Sequence, residues 1–172
     1  MTTIIAVETE NKVTIAFDDK VSGGNTQPDT SVDKVFTNTH AGIVLGVAGL
    51  LKVARTLMYA KLPAMKEDDW DVDRYVTLKL LPAIARQVAK YNDVDDEYVC
   101  DILAVVRGRV YDIGQGTWTR NPSGLYAIGS GGRYALGAYA AGALAGEAVE
   151  IASEFDNYTS PNVTVWEITQ EG

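Results

Sequence analysis

A threonine directly behind the initiator methionine carries two groups useful for acyl transfer. Thr2 is small enough for methionine aminopeptidase to remove Met1, which leaves a free α-amine on a residue that also bears a hydroxyl. Such an amine has an ordinary pKa near 7.7–8.0, so at neutral pH it is a usable base for that hydroxyl. Taken alone, Met1-Thr2-Thr3 reads as the start of a strand. Further polar residues follow at intervals. Asp18 ends an alternating segment, and Lys34 comes after a loop. Ala48-Gly49 closes an apolar run just before a helical pattern, and Ser130 sits in Gly129-Ser130-Gly131-Gly132. Asp156 and Thr159 lie at the end of the last helical pattern. Each has an ordinary reading as well: Asp18 and Lys34 as a surface ion pair of little energetic worth, Ser130 as a helix N-cap, and Asp156 as a solvated helix end. The glycine-rich turn lacks the Lys and Thr of a phosphate loop.

Other chemistries find little support. Cys100 is the one cysteine, so no internal disulfide forms, and its place in the apolar run Val99–Val106 reads as core. His40 is the one histidine and lies in a turn, without partners for zinc or a serine triad, so no metal or cofactor is expected. The acidic residues between Glu67 and Glu97 read as solvated helix ends. The chain has 172 residues, 47% of them hydrophobic, and a formal net charge of −8. That suits one globular domain over residues 1–172. It argues against nucleic acid or an anionic membrane as partner, since the charges repel. No secretory signal or membrane-spanning run is visible, so the cytoplasm is the expected compartment.

The elements that must position these residues follow from hydrophobic period. Thr3–Glu8 and Val13–Asp18 read as a hairpin, with Val13, Ile15 and Phe17 on one face. Lys34–Thr37 and Gly42–Val47 read as strands, the second buried on both faces. Leu50–Met58 and Asp73–Tyr91 have helical period; Leu81, Ile84, Val88 and Tyr91 share a face of the second, and Pro82 inside it predicts a kink or a late start. Val99–Val106, Arg109–Ile113 and Leu125–Ile128 read as strands, with residues 114–124 as a loop. Tyr134–Ala145 and Glu147–Tyr158 read as helices, the latter burying Ala148, Ile151, Ala152 and Phe155, and Val163–Ile168 closes the chain as a strand. Segregated runs of strands and helices predict an antiparallel α+β fold, two sheets between two helix layers.

Thr2-Thr3-Ile4, Ile15-Ala16-Phe17-Asp18, Asp33-Lys34-Val35, Val47-Ala48-Gly49, Ala127–Gly132, Ala152–Thr159 and Val163-Thr164-Val165 resemble, in order, landmarks of proteasome β subunits and of the bacterial HslV peptidase. The resemblance spans nearly the whole chain. It implies the four-layer αββα sandwich of N-terminal nucleophile hydrolases and a threonine endopeptidase without a cofactor. In it Thr2 is the nucleophile, Lys34 the adjacent cation and Asp18 its partner. Ser130, Asp156 and Thr159 orient the amine, and Gly49 supplies the oxyanion N–H. Thr159 stands where the family usually has Ser, and Leu50-Leu51 replaces a second small residue after Gly49. Val21, Val32, Phe36, Val47 and Leu51 would line the first specificity pocket for polypeptide substrates. The resemblance also implies a homo-oligomer of two stacked rings, six or seven subunits each, with an ATP-dependent unfoldase or an α-type ring as possible partner. Its rivals are a catalytically inactive ring-forming scaffold and a stand-alone amidase of the same superfamily.

Overall fold

The computed structural model describes residues 2–20, 33–91 and 100–169. Strand β1 (Ile4–Glu8) pairs with β2 (Lys12–Asp18) as an antiparallel hairpin, Ile4 opposite Phe17 and Glu8 opposite Val13. Two strands from far down the chain, β8 (Leu125–Ile128) and β9 (Val163–Thr169), flank it in the order β8-β1-β2-β9. The second sheet runs β3 (Val35–Asn38), β4 (Ile43–Ala48), β5 (Asp101–Val106), β6 (Arg109–Gly114), β7 (Thr117–Thr119), every neighbour antiparallel.

The alternation of β2 decides the layering. Val13, Ile15 and Phe17 enter a core shared with Val35, Leu103 and Val105 of the other sheet. Ala16 points the other way, onto helices α4 (Gly132–Ala140) and α5 (Ala145–Phe155), where Ala135, Ala148, Val149 and Ala152 are buried. On the far side of the second sheet, α1 (Leu51–Tyr59), α2 (Val72–Tyr75) and α3 (Leu81–Tyr91) bury Leu57, Tyr75 and Ile84 against Phe36, Leu45 and Ile102. The result is the predicted αββα order, with three apolar layers separating four layers of secondary structure.

Four local expectations change. Helix α5 buries Ala145, Ala148, Val149 and Ala152, whereas Ile151 is 37% and Phe155 63% exposed. Alanines at helical spacing let the helix approach the sheet closely, and the bulkier pair on the adjoining stripe turns outward, Phe155 stacking on Tyr134 with ring centroids 5.7 Å apart. Around Pro82 the chain neither stops nor starts late: a π-helical turn, Val76–Leu80, leads directly into α3. Proline has no N–H for the preceding turn and its ring crowds the carbonyl four residues back, and a widened turn accommodates both. Tyr91 ends α3 exposed rather than on its buried face. Residues 117–119 of the expected loop extend the second sheet as β7, where Trp118 meets Tyr111 edge-on at 5.2 Å.

Candidate active site

Strand β1 lies between β2 and β8, so the residues just before Ile4 are fixed between the end of β2 and the turn after β8. Gly129 makes this approach possible. Its φ is +88°, and a Cβ there would fall 1.8 Å from the Thr2 carbonyl oxygen, well inside contact distance, so the position requires glycine.

Asp18 ends β2 fully buried. Its Oδ1 accepts from the Thr2 hydroxyl at 2.9 Å, the Thr3 N–H at 2.8 Å and Lys34 Nζ at 2.9 Å. Its Oδ2 accepts from Lys34 Nζ at 3.0 Å and from the Lys20 and Ser160 N–H groups, each at 3.0 Å. A buried carboxylate is tolerable only when paired and hydrogen-bonded, and this one has five donor groups. The surface-pair reading of Asp18 and Lys34 is thereby set aside. Lys34 precedes β3 and is held against the end of β4, its carbonyl accepting the Val47 N–H at 2.9 Å. Burial pushes the Lys34 ammonium below the ordinary lysine range, and the Asp18 carboxylate offsets only part of that.

A second network adjoins the first. Ser130 Oγ and Thr159 Oγ1 each donate to Asp156 Oδ2 at 2.6 Å. Thr3 Oγ1 lies 2.6 Å from Thr159 Oγ1. The single Thr159 proton is committed to the carboxylate, so Thr3 is the donor, and a chain of hydroxyls runs Thr3 to Thr159 to Asp156. Burial raises the Asp156 carboxyl, but the Ser130 and Thr159 hydrogen bonds outweigh it and hold the group below the usual carboxylate range. Thr2, Asp18, Lys34, Ser130, Asp156 and Thr159 are thus linked around Thr2 and Thr3 and the two turns that meet them.

Gly49 follows β4 with φ at +139°, and a Cβ there would meet Cys100 Sγ at 2.6 Å. The next N–H, of Leu50, donates to Cys100 Sγ at 3.3 Å. Burial pushes the Cys100 thiol up, which suits a packing role behind this turn rather than a nucleophile. Of the specificity residues, Phe36 and Val47 are buried between the second sheet and α1, Leu51 is half-buried at the start of α1, and Val21 and Val32 lie outside the described residues. Two cavities, of about 890 Å³ along α1 and α3 and about 570 Å³ between α3 and β5–β7, lie away from Thr2.

Sequence reasoning missed three contributors. Thr3 was visible as a strand start and as part of the Thr2-Thr3-Ile4 landmark, but without a role of its own. Lys20 donates its N–H to Asp18 and its Nζ to the Asn157 carbonyl at 2.6 Å, tying the end of β2 to the Asp156 loop. Ser160 acts through its backbone, which no residue type announces. Among the described residues no group of three or more His, Cys, Asp or Glu is arranged to hold a metal, and no helix is long and apolar enough to cross a membrane.

Residues 1–168 match the model of a family described as Proteasome subunit. Solved structures with the same fold include eukaryotic HslV from Trypanosoma brucei, 21% identical, with TM-score 0.67 over 98% of this chain and 99% of that one. BPH of Thiobacillus denitrificans in complex with epoxomicin is 19% identical, with TM-score 0.74 over 99% of this chain and 100% of that one. Anbu (ancestral beta-subunit) from Yersinia bercovieri is 13% identical, with TM-score 0.72 over 97% of this chain and 81% of that one.

Proposed function

Because this chain belongs to the proteasome subunit family, we propose that it is a threonine endopeptidase subunit whose nucleophile is Thr2 after removal of Met1. The observation that carries the reading is the buried cluster at Thr2: a lysine ammonium and a fully buried aspartate meeting the hydroxyl of a residue next to the chain start. A buried ion pair contributes little net stability compared with an apolar replacement, so its position beside a hydroxyl favours a chemical role.

In this mechanism the Thr2 amine takes the hydroxyl proton as Oγ1 attacks the scissile carbonyl carbon. The proton passes to the leaving amine, the peptide C–N bond breaks, and an ester joins the acyl fragment to Thr2. Water, deprotonated by the same amine, hydrolyses that ester and restores the hydroxyl. Lys34 stabilises the developing alkoxide and favours the neutral amine. Asp18 fixes Lys34. Ser130, Asp156 and Thr159 orient the amine, and the Gly49 N–H donates to the oxyanion. Among the described residues, Phe36, Val47 and Leu51 are assigned to the pocket for the cleaved residue. Working subunits close into stacked homo-oligomeric rings in the cytoplasm, fed by an ATP-dependent unfoldase or an α-type ring.

The test pairs intact mass with turnover. Purified protein should lack Met1, hydrolyse fluorogenic peptides and gain the mass of one epoxomicin, the molecule bound by the similarly folded BPH. Thr2→Ala should abolish hydrolysis and labelling while leaving assembly unchanged. Undiminished turnover by pure Thr2→Ala would exclude Thr2 as nucleophile. Full retention of Met1 would favour the inactive ring-forming scaffold instead.

A further inference from the structure

We propose that Trp70 and its acidic neighbours form a knob that docks into the cationic groove between α1 and α3 of a second copy of this chain. The proposal deepens the ring reading above and rests on it.

The knob is a turn before α2. The Asp69 N–H donates to the Lys66 carbonyl, and the Trp70 N–H to that of Asp68. Asp69 is tied down by Lys79 at 2.6 and 2.8 Å and by the Lys66 N–H. The Lys66 carbonyl also accepts from Arg107 at the β5–β6 turn, fixing the base of the turn to the second sheet. This anchored turn holds Trp70 outward at 84% exposure, the highest of any large apolar side chain among the described residues. Glu67 and Asp68 beside it are exposed and have no ion-pair partner among the described residues. A preorganised, exposed tryptophan flanked by free carboxylates has the composition of an interface anchor.

The groove has the complementary character. Its volume is about 890 Å³, and it is lined by Lys52, Arg55, Lys61 and Lys90 with Tyr59 and Tyr91. None of these four cations pairs with a carboxylate among the described residues. Lys90 lies over the Tyr91 ring at 5.0 Å, and Tyr59 is 77% exposed. In a chain of net charge −8, four cations lining one groove without a carboxylate partner among the described residues stand out. Such a groove attracts acidic surface, and its tyrosines and lysine stems offer an indole apolar contact. Trp70 is not among the lining residues of its own groove. Knob and groove are different patches, so the contact can be made head to tail, and in the proposed ring it repeats from copy to copy until the ring closes.

The experiment uses the full chain. Trp70→Ser, and separately Lys52→Glu with Lys90→Glu, should raise at least tenfold the concentration at which half the assembly dissociates, read by native mass spectrometry and sedimentation. Adding Glu67→Lys and Asp68→Lys to the lysine reversal should restore assembly, which a merely misfolded variant would not do. Trp70→Cys with Tyr59→Cys should give a ladder of disulfide-linked chains on mild oxidation. Assembled variants indistinguishable from the parent, with no ladder, would overturn the docking and leave the ring reading intact. A parent that is monomeric at every concentration would remove both. Saturable binding of a synthetic acidic Trp-containing peptide to intact parent rings, with Trp70→Ser rings unaffected, would assign the groove to another protein and overturn the proposal.

Discussion

Lys34 shows how much one residue can hold in place. It is the cation of the buried pair, and removing one partner of such a pair leaves an uncompensated charge. Lys34→Ala should therefore lower peptide turnover by about 10²–10³-fold, the range seen when one electrostatic stabiliser of a transition state is lost. Single-turnover kinetics on the folded variant measure this, and a rate within twofold of the parent would make Lys34 structural only. The pH profile gives a second reading. Because burial holds the Lys34 ammonium low, activity should decline on the alkaline side before the value of about 10.4 expected for an ordinary lysine. Stability should not decline with it. In the window between the lowered folded value and the unfolded one, the unfolded chain binds more protons, so this residue's contribution to stability rises with pH. Loss of rate without loss of melting temperature across that window is the expected signature. A parallel fall of both would assign the alkaline limb to unfolding.

At the scale of elements, the proposed pocket for the cleaved residue draws on β3, β4 and α1. Phe36, Val47 and Leu51 there are apolar, and a charged side chain placed against them would lose water without gaining a partner. Profiling on fluorogenic peptides should show a preference for apolar residues at the cleaved position. Dominance of Arg, Lys or Asp there would contradict this lining. The same elements show where sequence reasoning was sufficient. The alternation Val13, Ile15, Phe17 fixed the inner face of β2, because a strand's period of two leaves no other face for the core. Helical period in α5 gave the element and half of its buried stripe, Ala148 and Ala152. Hydrophobicity also favoured Ile151 and Phe155, while the close approach of the helix to the sheet buries Ala145 and Val149 instead. At the site, side-chain donors were legible from type and order. The Lys20 and Ser160 N–H groups were not, because every residue except proline carries one.

At the scale of the molecule, the proposed function requires that Thr2 be kept from indiscriminate contact, and the proposed ring would enclose it. A folded globular protein should therefore survive incubation with the assembled peptidase, while its unfolded form and short peptides are cut. Gel analysis of paired native and denatured substrates reads this directly, and equal cleavage of both forms would contradict enclosure.

The central place of β1 in its sheet carries a practical consequence. Chain ends usually fray, yet here the first strand is paired on both sides, by β2 and β8, while β9 lies at the edge of the same sheet. A purification handle is thus unequal at the two ends. Fused upstream of Thr2, it would occupy the amine that the proposed mechanism uses, so a test of that mechanism needs a handle cleavable to the threonine itself. Fused downstream of Thr169, it extends from the end of an edge strand that lies opposite Lys12, at the far end of β2 from Asp18, and can remain.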